Sequence, residues 1–221
     1  MGHFYKTESL ILDEEVALEK IDDILPFYQS MVKWLLMPNF TMNRDMNMEF
    51  SNWLALDRKL GIIHNMFLYA AYAKDLTNDV KLALILQTFE PISEDLAEQG
   101  KITITPYNHK NAKDSRIIFG DRVFAIMNCY GNDIFQEDDI DGVLEKSVNL
   151  RDKIVHLDRG TIEILNGKQS TYYLQKFIML YVIVVLTELG VDYNQLKLEI
   201  FKILEKWKCN FPKLYSMRIQ L

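Results

Sequence analysis

Chain-breaking residues are scarce in this sequence. Nine Gly and five Pro among 221 residues leave too few tight turns for a sandwich or barrel of many short strands. The two cysteines, Cys129 and Cys209, make neither a disulfide framework nor a CxxC metal pair, which fits a reduced, intracellular setting. There is no glycine-rich phosphate loop, no GxSxG and no HExxH. Of the four histidines, His3 is terminal, His109 sits in a polar stretch and His64 on a helical pattern, and no pair has metal-ligand spacing. Neither a metal nor a cofactor is therefore expected. The opening MGHFYKTESL lacks the apolar segment of a signal peptide. The longest apolar run, Phe177 to Leu186, is ten residues, against about twenty needed to cross a bilayer. A buried helix and a cytoplasmic protein that does not enter a membrane are expected. No internal repeat or low-complexity tract is present.

What the chain does contain is ordinary globular material, 49% apolar and 25% charged, which argues against disorder. Its net charge of −6 excludes a general nucleic-acid coat, so any site for a polyanion must be local. The charge is uneven. Residues 1–100 hold 16 acidic and 8 basic side chains, leaving the remainder at +2. Six basic residues (Lys197, Lys202, Lys206, Lys208, Lys213, Arg218) crowd the last 31 positions. Such a stripe is either a solvated helix face or an edge that helps hold a phosphate backbone.

Periodicity reads as helix almost throughout. Apolar residues recur at helical spacing from Asp13 to Met37, where Pro26 should divide the helix. Met46–Leu56 and Leu60–Ala73 form a helix or a helix pair with Gly61 near the joint. Thr77 or Asn78 caps a helix over Val80–Gln99 that ends at Gly100, is apolar all round at Leu82–Leu86, and should bend at Pro91. KITIT (Lys101 to Thr105) alternates like a short strand before a polar loop reaching Asp114. Helical patterning returns over Ser115–Tyr130. A further helix spans Asp138–Leu157, its acidic start complementing the helix dipole and Gly160 closing it. Asn166-Gly167 suggests a hairpin or loop over 161–169. Ser170 or Thr171 then caps a buried helix ending at Gly190, and Tyr193–Trp207 closes the fold. The expected fold is an all-α bundle of six to eight helices with a short irregular or β-like insertion near 101–114. Residues 1–50 form an N-terminal helical extension, within the same domain or beside it, and 51–221 the main helical domain.

One stretch combines residues suited to chemistry: Arg151-Asp152-Lys153-Ile154-Val155-His156. On a helix, Val143, Ser147, Leu150, Ile154 and Leu157 share one stripe, which should face the core. His156 shares another with Asp152 and Asn149, so the Asp152 carboxylate is within reach to fix the imidazole tautomer. Arg151 lies about 140° around the axis from His156 but has a long side chain. Neither Arg151 nor His156 is assigned to the core. Arginine holds a phosphate through paired donors, and histidine moves a proton near neutral pH, so the two converging at a helix end suit phosphodiester chemistry. A surface arginine beside a half-buried histidine is the plainer alternative.

The order of elements resembles the HEPN superfamily, small helical domains of prokaryotic defence and RNA-processing systems. R-x4-H near the end of a late helix, here Arg151 to His156, is its hallmark. LYAAYAKDLTNDVKLALILQTFEPISEDL (Leu68 to Leu96) is similar to the early helix pair of the ApeA-like branch, including Phe89-Glu90. YYLQKFIMLYVIVVLTELG is similar to its closing helix. The resemblance covers about Asn52 to Trp207 and leaves residues 1–50 without a counterpart.

This resemblance implies metal-independent RNA cleavage, in which the ribose 2′-OH attacks the adjacent phosphate. Arg151 would bind the phosphate, His156 would act as general base or acid, and Asp152 would orient one or both. It implies a homodimer with a composite groove, RNA as substrate, and a role in phage defence or as a toxin with an antitoxin or defence-system partner. In relatives silenced by nucleotide transfer, a Tyr stands two residues beyond the His. Asp158 stands there in this chain, so that control is not expected. Glu90 follows the family pattern, or is a helix-kink residue with a local partner. Two other readings stay open. One is a HEPN-like module that binds RNA, a nucleotide or a partner protein without cutting. The other is an unrelated helical interaction protein with an accidental R-x4-H.

Overall fold

Apolar stripes and well-defined helix ends produce seven helices among the residues described, which are 46–107, 116–156 and 163–210 with 212, 216 and 219. In the computed structural model they are α1 Met46–Tyr72, α2 Asn78–Glu98, α3 Phe119–Tyr130, α4 Asn132–Phe135, α5 Ile140–Val155, α6 Gly167–Glu188 and α7 Tyr193–Asn210. No described residue is in a strand, so the fold is all-α. The helix expected over Asp13–Met37, His109, and the proposed stop at Gly160 lie outside the described residues.

Helix α2 is the centre of the bundle and packs against α1, α3, α5 and α6. Its Leu82, Ala83, Ile85, Leu86, Phe89, Ile92 and Leu96 are all buried, as its all-round apolar sequence requires. Aromatic rings join it to its neighbours. Phe89 of α2 lies 6.0 Å from Phe177 and edge-on to Tyr181 of α6 at 6.3 Å, while Phe67 of α1 stacks on Tyr181. Each such buried ring contributes about 1.5–3 kcal/mol of burial free energy. Helix α6 is long and apolar enough to cross a bilayer, yet 83% of its apolar stretch is buried within the fold, which makes it a core helix. Two glycines end helices as the sequence suggests. Gly100 (φ +69°) and Gly190 (φ +95°) adopt the left-handed conformation, letting the Lys101 and Val191 amides donate back to Leu96 and Leu186.

Four local points are decided. Of the helix or helix pair expected over Met46–Ala73, the single helix forms: α1 is continuous through Gly61, because packing against α2 and α6 outweighs the cost of about 1 kcal/mol for an interior glycine. Helix α2 runs on through Pro91 as one helix, as expected. KITIT is irregular: Ile102 is buried and Ile104 half-buried, so the alternation is real, but no strand among the described residues pairs with it. Asn166-Gly167 starts a helix. The Asn166 side chain accepts the Lys168 and Gln169 amides at 3.1 and 3.0 Å, and Gln169 accepts the Asn166 amide at 3.2 Å, a reciprocal cap that Ser170 or Thr171 was expected to provide.

Two lysines of the basic stripe are used internally. Lys197 pairs with Asp133 at 2.9 Å and Lys208 with Glu137 at 2.6 Å, tying α7 to the segment around α4. A second charge cluster is fully enclosed. Lys176 of α6, 2% exposed, donates to Asp138, which also accepts the Tyr173 hydroxyl at 2.9 Å. The Ile219 amide closes over Tyr173 at 2.6 Å, and burial with Asp138 alongside pushes that phenol far above its ordinary value.

Candidate functional site

The site forms where the end of α5 meets the middle of α2 and the start of α3. Val143, Ser147 and Leu150 face inward as the periodicity demands. Arg151, one turn beyond Ser147, follows them and is only 7% exposed. This corrects the expectation that Arg151 stays out of the core: its position is set by Ser147 at i−4, and the contacts that make burial tolerable come from other helices. His156 ends the helix instead, its amide donating to the Asp152 carbonyl at 2.9 Å, and its side chain is 61% exposed.

Every edge of the buried guanidinium is occupied. Arg151 Nε donates to Gln87 Oε1 at 2.8 Å. Nη1 donates to Asp152 Oδ1 at 2.7 Å and to His156 Nε2 at 3.0 Å. Nη2 lies 3.8 Å from Glu90 Oε2, and the Phe119 ring faces the guanidinium carbon at 4.3 Å. Arginine has no acceptor, so His156 Nε2 must accept here, which places the proton of a neutral imidazole on Nδ1. The tautomer is therefore fixed by Arg151 and not, as the spacing suggests, by Asp152. The carboxylate reaches Arg151 first and its oxygen stays 4.0 Å from Nε2. Asn149 turns away to donate to the Glu163 carbonyl at 3.0 Å.

The surrounding shell is polar and ordered. Gln87 Nε2 donates to Glu90 Oε2 at 3.2 Å, which gives Glu90 the local partner of its plainer reading, and the same oxygen lies 3.8 Å from Arg151 Nη2. Arg122 of α3 pairs with Glu94 at 2.8 Å and approaches Glu90 at 4.0 Å. Asp121, buried one turn into α3, accepts the Ile118 and Tyr107 amides at 2.7 and 2.8 Å, which fixes the start of α3 and with it Phe119. Tyr107 stacks on Phe124 and donates to Asp141 at 2.5 Å, a bond that pushes its hydroxyl up to about 12. Ile117, Ile118 and Val155 are exposed beside these elements. Among the described residues no cluster of His, Cys, Asp and Glu could hold a metal.

Chemically, the cluster sets a cationic fork and a titratable nitrogen side by side at an open helix end. The structure brings together all three residues singled out from the sequence, Arg151, Asp152 and His156. Sequence reasoning missed Gln87, Phe119 and Arg122. Gln87 was within reach, since it lies three residues before Glu90 on the same helix face. Phe119 and Arg122 carry no local signal, because only tertiary packing delivers α3 to α5.

A family model described as Apea-like HEPN matches residues 72–195, a span that includes α2 to α6 and both Arg151 and His156. No curated protein and no solved structure matches the chain.

Proposed function

The chain belongs to the Apea-like HEPN family, and from that premise we propose that it is a metal-independent endoribonuclease. The observation that carries this reading is the 3.0 Å approach of Arg151 Nη1 to His156 Nε2 at an accessible helix end. In this reading the Arg151 fork binds a phosphate oxygen, and the ribose 2′-OH loses its proton to an imidazole nitrogen and attacks phosphorus. The P–O5′ bond breaks, the leaving oxygen takes a proton, and the products are a 2′,3′-cyclic phosphate and a 5′-OH. One imidazole cannot readily serve both ends of an in-line displacement at once. The reading therefore includes a homodimer in which a second copy brings its own Arg and His to a shared groove. The exposed Ile117, Ile118 and Val155 give that contact an apolar rim. Asp152 orients Arg151 until a phosphate displaces it, and then serves His156, whose Nε2 lies 4.0 Å from its oxygen.

A cytoplasmic role in phage defence or as a toxin, with an antitoxin or defence-system partner, completes the reading, as does the division into an N-terminal extension over 1–50 and a HEPN domain over 51–221. A second reading, a HEPN module that binds RNA, a nucleotide or a partner protein without cutting, is favoured by the net charge of −6 and by the carboxylates already on Arg151. Incubation with single-stranded RNA in EDTA separates the two. Cleavage to 2′,3′-cyclic ends that disappears in His156→Ala supports the nuclease. Cleavage that needs metal, or is unchanged by the substitution, removes it. Binding without cleavage selects the second reading.

A further inference from the structure

Resting on the nuclease reading, we propose that Gln87 is a positioning residue that selects which edge of the Arg151 guanidinium meets the scissile phosphate. A guanidinium presents two bidentate edges, Nε with Nη2 and Nη1 with Nη2. Helix α2 covers the first: Gln87 accepts from Nε at 2.8 Å, and Glu90 stands 3.8 Å from Nη2. Phe119 covers one flat face at 4.3 Å. The edge left toward His156 is the second, where Nη1 meets Nε2 at 3.0 Å and the half-exposed Asp152 carboxylate occupies the place an incoming anion takes. Asp152 can swing into solvent, whereas Gln87 sits on the central helix of the bundle.

Gln87 also holds Glu90. Its amide nitrogen donates to Glu90 Oε2 at 3.2 Å, which ties the carboxylate to its own helix. Without that amide, Nε loses its acceptor, and Glu90 is free to take the Nε–Nη2 edge as a bidentate partner. The guanidinium would then rotate toward α2 and withdraw Nη1 from His156. The phosphate could still find positive charge there, but misaligned with the proton-transferring nitrogen. Misplacement of this order acts on turnover more than on binding.

The experiment uses the full chain with arginine side chains labelled with ¹⁵N. In the free protein the Arg151 Nε–H should exchange slowly with solvent. A 2′-deoxy-substituted RNA oligomer, which cannot be cut, should shift the Nη signals and leave Nε–H protected. Gln87→Leu, close in volume and compatible with a helix, should lose Nε–H protection. It should also lower kcat about tenfold to hundredfold while KM stays within about threefold. Gln87→Glu keeps an acceptor and should keep both the protection and most of the turnover. Wild-type kcat in Gln87→Leu, a Gln87→Glu as slow as Gln87→Leu, or an oligomer that displaces Gln87 and shifts Nε–H would each overturn the assignment while the nuclease reading stands. No response of either edge to the oligomer, together with no cleavage by the wild type, removes both.

Discussion

Among the described residues two places bury a cation against a carboxylate, and they differ in one respect. On α6, Lys176 is 2% exposed and the Asp138 side chain that pairs with it is wholly enclosed, with Tyr173 on the other carboxylate oxygen and Ile219 closing the cluster. At the end of α5, Arg151 is nearly as buried, but Asp152 is 39% and His156 61% exposed. The first cluster is sealed, so its partners cannot be exchanged without unfolding. The second is anchored from within by Gln87 and Phe119 and open from without, so its outer partners can be replaced by a ligand. Burial of a charge is thus a poor marker of function by itself. What separates a structural pair from a candidate site is whether the counter-charge can leave.

The largest expected effect is at the sealed cluster. Lys176→Met strands the Asp138 charge in the interior and should cost about 3–5 kcal/mol in urea unfolding, with activity per folded molecule unchanged. A loss below about 1 kcal/mol would show that water reaches Asp138 and that the contrast is false. Acid should act next. Burial pulls His64, which shares a hydrogen bond with Tyr181, down to about 4 from an ordinary 6.5, so the unfolded chain takes up that proton first. Stability should be level above pH 6.5 and fall by about 3 kcal/mol as pH drops toward 4, and His64→Leu should flatten that slope. A melting curve insensitive to pH over that window would remove His64 from the sealed interior.

Arg151 belongs to both categories. Arg151→Ala should abolish cutting and also cost about 1–3 kcal/mol, because Gln87 and Asp152 lose their donor in a half-buried site. His156→Ala should abolish cutting with a stability change within about 0.5 kcal/mol, since its ring is mostly in solvent. Equal destabilisation by the two substitutions would erase the distinction between anchor and rim. The smallest effect is expected for Asp152→Asn, which should slow cutting about three- to tenfold and shift stability by less than about 1 kcal/mol. Undiminished activity would show that Asp152 only holds the resting arginine.

Much of this was legible in the amino-acid order, because helices announce themselves locally. The apolar stripe Val143–Ser147–Leu150 placed α5, the all-round apolar Leu82–Leu86 placed the central helix, and Gly100 and Gly190 marked two helix ends. Arg151 and His156 could be paired from spacing within one helix. Misreadings arose where a local signal has two tertiary outcomes. Asn-Gly serves a hairpin or a helix start, and only the Gln169 side chain folding back on Asn166 decides. The alternation of KITIT needs a partner strand that none of the described residues supplies.

By itself, then, the sequence determined the helical class, the helix faces and the adjacency of Arg151, Asp152 and His156, since each depends on residues within a turn or two of one another. Only the tertiary structure decided that Arg151 is held from below by Gln87 of α2 and Phe119 of α3. It likewise decided that Asp152 serves Arg151 before His156. The reason is reach: Gln87 stands 64 residues from Arg151 along the chain, and no periodicity extends that far.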